Sequence, residues 1–246
     1  MLRTLLAIAA TAALAVPARA ADDDGWIKLI GDHPFDAWRQ PAAAWYEAGG
    51  ARPDPHDPSK LIPIDGQGVI INGRDGRTRN LVSKSDFGDI EAHFEFLIPK
   101  RSNSGVKFQG LYEIQIDDSH DLKTPAANHC GGIYPRAELL PRYHYLDKGT
   151  PPRVNAARPA GEWQTLDVVF RAPRFGTDGK KIEDARLVKA VLNGRLIHED
   201  LDLKTPTGHA WHEKEVPRGP LLLQADHGPV AFRNIRVRPL NGKTSR

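Results

Sequence analysis

Ile90-Glu91-Ala92-His93-Phe94-Glu95-Phe96-Leu97-Ile98 alternates apolar and polar side chains over most of its length. On an extended chain Ile90, Ala92, Phe94, Phe96 and Ile98 point one way and Glu91, His93 and Glu95 the other, with Leu97 the one departure. A helix would mix the two sets around its axis, so the run predicts a strand with one buried face. Shorter runs of the same kind are predicted over residues 26–30, 69–72, 81–84, 105–109, 112–117, 163–171, 186–192, 195–199, 221–224 and 230–237. Gly, Pro, Asp and Asn punctuate them, and Asn193-Gly194 between two runs is a strong hairpin signal. Almost nothing after residue 21 repeats at helical spacing, so an all-β sandwich is predicted. Two stretches resist this reading. Residues 51–63 hold Pro53, Pro55, Pro58 and Pro63, and residues 135–160 hold Pro135, Pro141, Pro151, Pro152 and Pro159. Proline cannot donate to a sheet ladder, so both are expected to be loops or edge coverings.

The first 20 residues read as a secretory leader rather than as part of the fold. Arg3 supplies a positive start, residues 4–16 an apolar run, and Ala18-Arg19-Ala20 a small-residue cleavage pattern. The run is shorter than the roughly 20 residues that span a bilayer, so no membrane anchor is expected. Cleavage after Ala20 would leave a β-sandwich domain over residues 21–246, periplasmic or secreted. Losing Arg3 and Arg19 leaves 32 of the 34 basic residues against 31 acidic ones, a net charge of +1. Such a balance argues against nucleic acid as partner. The lone Cys130 cannot form a disulfide within the chain, so stability must come from packing. His209 and His212, His129 beside Cys130, and His120 lack metal-ligand spacing. No cofactor is identified, and a need for a divalent metal stays open.

Chemistry concentrates in residues 103–118. Tyr112, Ile114 and Ile116 are expected in the core, with Glu113, Gln115 and Asp117 on the opposite face. A link at Gly110 would fold the preceding run back as a hairpin, bringing Lys107 and Gln109 onto that polar face. Glu113 and Asp117 lie four residues apart, about 13 Å at strand rise, whereas hydrolysis by a carboxylate pair needs about 5–9.5 Å. A bulge would be required to bring them together. His227 falls in a turn between two apolar strands, at the sandwich rim, where an imidazole can act near neutral pH. Tyr134, Arg136, Arg142, Tyr143, His144 and Tyr145 give the second proline-rich stretch a mix suited to sugar stacking, or to a flap packed on the sandwich.

Asn103-Ser-Gly105, Tyr112-Glu-Ile-Gln-Ile-Asp117, Gly161-Glu-Trp-Gln164, Leu192-Asn-Gly194, Leu223-Gln224 with His227-Gly228, and Phe232-Arg-Asn-Ile235 occur in this order, with Trp26 and Trp38 before them. Together they resemble the 3-keto-disaccharide hydrolase domain family. The resemblance implies a concanavalin A-like jelly roll of two antiparallel sheets, and an enzyme that cleaves glycosides already oxidised at C3. A sugar 3-oxidoreductase would then supply the oxidised saccharide. A ketone at C3 acidifies the C2 proton, so one base and a stabiliser for the enolate suffice. Glu113, Asp117 or His227 are the candidate bases, and Lys107 or Arg233 the candidate charge stabilisers. Asn103, Gln115, Tyr134 and Gln224 are the candidate sugar contacts. A non-catalytic lectin-like module and an ordinary two-carboxylate hydrolase are the competing expectations.

Overall fold

The computed structural model describes residues 25–39 and 44–240, and among them there is no helix. The leader predicted over residues 1–20 lies outside the described residues. In chain order the strands are β1 (Ile27–Lys28), β2 (Tyr46–Pro53), β3 (Leu61–Ile71), β4 (Leu81–Phe87), β5 (Ile90–Leu97), β6 (Asn103–Phe108), β7 (Tyr112–Asp117) and β8 (Ala137–Glu138). They continue with β9 (His144–Tyr145), β10 (Gln164–Arg171), β11 (Arg174–Phe175), β12 (Lys181–Glu183), β13 (Ala185–Leu192), β14 (Arg195–Leu203), β15 (Gly219–Leu223) and β16 (Ala231–Pro239).

Two antiparallel sheets make the jelly-roll sandwich. The larger runs β14-β13-β10-β5-β16-β3-β2 with β1 added on β16, and the smaller runs β4-β15-β6-β7. The apolar sides of the alternating strands meet between them: Phe94 and Phe170 from the large sheet pack on Phe108 and Tyr112 from the small one. Phe108 stacks on Phe170 with ring centroids 4.9 Å apart and meets Phe94 edge-on at 6.2 Å. Burying one such ring contributes about 1.5–3 kcal/mol, so these contacts fix the β6–β7 hairpin firmly on the large sheet. The polar face of that hairpin is thereby turned outward.

Several boundaries differ from the sequence expectation. Residues 51–63 are not all loop: Ala51 to Pro53 end β2 and Leu61 to Pro63 begin β3, paired with each other. The prolines are tolerated because β2 is a sheet edge, and because β16 pairs with β3 only from Val69 to Ile71, leaving the other side of Pro63 without a partner strand. The strand expected over residues 26–30 shrinks to Ile27–Lys28, while the one expected to end at Glu199 runs on to Leu203. Asn193 and Gly194 both take positive φ (51° and 77°) at the β13–β14 turn, as a tight hairpin turn requires. Residues 135–160 are mainly loop, with the short β8–β9 pair inside.

Candidate active site

The β6–β7 register runs without a bulge from Asn103↔Asp117 through Gly105↔Gln115 to Lys107↔Glu113. Partners across an antiparallel ladder share a face, so these six residues form one polar surface opposite the core. The backbone of Glu113 bonds away from β6: its N–H donates to Thr207 Oγ1 (3.0 Å) and its carbonyl accepts from Tyr134 N (3.4 Å). Lys107 and Glu113 are therefore a non-hydrogen-bonded pair, the geometry in which opposed side chains approach most closely. Lys107 Nζ stands 2.9 Å from Glu113 Oε2. The surface is nearly closed to solvent, with Lys107 8%, Glu113 3% and Gln115 1% exposed.

A chain of amides holds the carboxylate from its other side. The Gln115 amide is satisfied with its nitrogen donating to Glu113 Oε1 (3.2 Å) and Ser104 O (3.0 Å), and its oxygen accepting from Asn103 Nδ2 (2.9 Å). Gly105 lies beneath. A Cβ there would fall 2.5 Å from Glu113 Oε1, so the carboxylate occupies the space a side chain would fill. Withdrawing two charges from water costs several kcal/mol per ion, which makes a buried ion pair weak as a stabilising device. The pair on this polar face is therefore the candidate site.

The cover comes from the second proline-rich stretch. Ile133 bridges Ile114 on one side and Thr150 on the other, so residues 131–134 extend the small sheet beyond β7. His198 Nε2 of the large sheet donates to Gly131 O at 2.7 Å, and Gly132 packs where any Cβ would meet Ala127 O at 2.2 Å, which pins this segment. Tyr134 thus stands beside Glu113 on the polar face. Its hydroxyl lies 2.8 Å from that of Tyr143 and 3.1 Å from that of Tyr145. Burial, followed by these two hydroxyls, raises the Tyr134 phenol well above its ordinary range. Gly208 closes the corner, since a Cβ on it would lie 4.0 Å from Lys107 Nζ and 3.9 Å from the Tyr134 ring.

At the other end of the hairpin, Asn103 and Asp117 sit about 13 Å along the strands from Lys107 and Glu113. Burial, with Asp118 adding to it, pushes the Asp117 carboxyl up to about 6. The neutral acid is thus favoured in the folded state relative to an unfolded value near 3.9. Its stabilising contribution is complete below about pH 4, is lost as pH rises through 6, and is absent above. Asp117→Asn is accordingly expected to raise the melting temperature at pH 7.5, with the gain vanishing near pH 4. Thermal unfolding of both proteins across that range checks this, and a pH-independent difference would contradict a desolvated carboxyl.

Other predicted residues divide. Gln224 donates its backbone N–H to Gly105 O at 2.9 Å, beside the polar face, and its Oε1 is buried without a partner among the described residues. His227 is exposed, with Nδ1 2.6 Å from Asp226 Oδ1 and 3.3 Å from the Gln224 amide nitrogen. The adjacent Gly228 packs on Ser102 and Asn103, which puts this turn at the Asp117 end of the hairpin.

Two expectations are corrected. Gln109 does not join the polar face, because it takes φ +56° with Gly110 at +71° in the hairpin turn and aims its amide at Phe87 O. Arg233 is not at the site. It lies on the outer face of the large sheet, with Nε 2.6 Å from Glu95 Oε2 and its guanidinium 4.0 Å over the Trp163 ring. Thr207 and Gly208 carry no sequence signal, since the loop that brings them in places Thr207 94 residues beyond Glu113 in the chain. Among the described residues no group of three or more His, Cys, Asp or Glu is placed to hold a metal ion.

Known proteins share the family and the fold of this chain. A structure from Parabacteroides distasonis ATCC 8503, provisionally named a glycosyl hydrolase, is 25% identical over 88% of this chain and 84% of its own, with a TM-score of 0.59. Two others from that organism with the same provisional name share the fold at 19% and 15% identity, each with a TM-score of 0.56, covering 87% and 91% of this chain and 99% of their own. No curated protein matches the chain in sequence. The family described as the 3-keto-alpha-glucoside-1,2-lyase-like domain matches residues 25–238, spanning the sandwich and every residue of the polar face, and the chain belongs to that family.

Proposed function

We propose that this chain is a carbohydrate-active enzyme that cleaves glycosides oxidised at C3, by taking the proton from C2 and expelling the C1 substituent. Family membership and the Parabacteroides neighbour support the carbohydrate-active part. The observation that carries the finer reading is the buried Lys107–Glu113 pair at 2.9 Å. As Glu113 accepts the C2 proton its negative charge passes to the substrate's C3 oxygen, and Lys107, already beside it, stabilises the enolate. The cation is attracted more strongly to the developing charge than to a neutral ketone, so the interaction lowers the barrier rather than only tightening binding. Asn103, Gln115 and Gln224 supply hydroxyl contacts along the face. The unbulged register keeps Glu113 and Asp117 about 13 Å apart at the backbone, which disfavours a two-carboxylate displacement. A cleaved leader at the N-terminus would carry this activity outside the cytoplasm, where a sugar 3-oxidoreductase would supply its substrate.

Incubation with a 3-keto-disaccharide and with its unoxidised parent tests the reading. Product is expected from the ketone only, and deuterium at C2 should slow the reaction or exchange with solvent. Equal rates with complete retention of the label, or cleavage of the parent sugar, would restore the two-carboxylate reading. Binding without turnover would make the chain a lectin-like module.

A further inference from the structure

Expulsion of the C1 substituent needs a proton as well as a base, and Tyr134 stands on the segment next to Glu113, its backbone N–H donating to the Glu113 carbonyl. Across the sheet the order is Lys107, Glu113, Tyr134, on successive strands about 4.8 Å apart. C2–H and C1–O belong to adjacent sugar carbons, so the base and the acid must act from neighbouring positions. Asp117 and His227 stand at the far end of the face, and Lys107 is held by Glu113. Tyr134 is partly buried, whereas Tyr143 and Tyr145, whose hydroxyls touch its own, are 49% and 44% exposed. The three phenols form a hydrogen-bonded path from the buried floor to solvent.

We propose that Tyr134 is the general acid that protonates the departing C1 oxygen, and that Tyr143 and Tyr145 return a proton to it from solvent. This rests on the reading given under Proposed function. The step balances as follows. The C2–H bond breaks, its proton goes to Glu113, and its electron pair forms the enolate. Those electrons then make the C1–C2 double bond as C1–O breaks, and the leaving oxygen takes the phenolic proton. The Tyr134 phenolate recovers a proton from solvent through its two neighbours, and Glu113 releases the C2 proton to solvent once the products leave, so the cycle closes with no net proton gained or lost. A phenol is protonated at neutral pH without any shift, and transfer from Tyr134, whose burial disfavours the phenolate, depends on the alkoxide leaving group being the stronger base and on the proton returned by Tyr143 and Tyr145.

An acid of this kind matters only when the leaving group is a poor one. The test compares methyl and 4-nitrophenyl 3-keto-glucosides in the wild-type protein and in Tyr134→Phe, which keeps the ring and its packing. Tyr134→Phe is expected to lose about 100-fold or more on the methyl glycoside and to stay within about tenfold of wild type on the nitrophenyl one, whose phenolate leaves unaided. Equal losses on both would make Tyr134 a structural residue and overturn the proposal. Failure of the wild-type protein on both ketones would instead remove the reaction, and the proposal with it. Tyr143→Phe combined with Tyr145→Phe should slow the methyl glycoside alone, and no effect on either substrate would overturn the relay.

Discussion

Replacing Glu113 with Gln is expected to lower turnover of a 3-keto-glycoside by about 10²–10⁴-fold, the range that a positioned general base contributes, while the protein stays folded. Either Gln or Ala removes the counter-charge of the buried Lys107, at a cost of up to about 3–5 kcal/mol, and Gln is the substitution of choice because it leaves no cavity and keeps an acceptor for Nζ. The amide's carbonyl oxygen still faces Nζ and its volume is close to the original, which offsets part of that cost and keeps the protein folded for assay. Single-turnover rates, with circular dichroism and a melting curve on the same samples, separate the two effects. The variant should also stop exchanging the C2 proton with solvent, which a residue needed only for binding would not do at saturating substrate. Full activity in a folded Glu113→Gln protein would move the base to Asp117 or His227, both of which lie toward the opposite end of the face.

The polar face was legible because a strand repeats every two residues. Once Tyr112, Ile114 and Ile116 are assigned to the core, Glu113, Gln115 and Asp117 have nowhere else to point, and the hairpin carries Lys107 and Asn103 with them. The same rule misplaced Gln109, since periodicity says nothing about where a strand stops and the turn takes two left-handed residues before β7 begins. Arg233 was misassigned for a different reason. Alternation gives a face within one sheet but not which of two sheets a strand joins, and β16 pairs with β5 and β3 rather than with β6. The proline content of residues 51–63 masked two strand ends, because proline reads the same in a loop and on a sheet edge. Tyr143, Tyr145, Thr207 and Gly208 reach the site through loop paths that no periodic signal describes, although the tyrosine content of the second loop did mark it as suited to sugar contact. The family motifs extend over the whole sandwich, because their order along the chain follows the order of its strands.

Gly105→Ala is expected to reduce turnover by about 100-fold, on the scale that a misplacement of about 1 Å costs in an oriented site, although the methyl group touches no substrate atom. Gly105 does not take a positive φ, so alanine fits its backbone conformation. The conflict lies in the side chains. The new Cβ would sit 2.5 Å from Glu113 Oε1 and 3.1 Å from Cγ and Cδ. The carboxylate must therefore swing away, which breaks its contacts with Lys107 at 2.9 Å and with the Gln115 amide at 3.2 Å together. The folding cost should approach that of a broken buried ion pair, about 3–5 kcal/mol, so turnover is compared on samples that a melting curve shows to be folded. The decisive control is the double variant. If Gly105→Ala acts by displacing the base, adding it to Glu113→Gln should cost little more than Glu113→Gln alone, because residues acting as one unit are not additive. Multiplicative losses would show that the methyl group blocks the substrate instead, leaving the Glu113 carboxylate's dependence on an empty position 105 without functional weight.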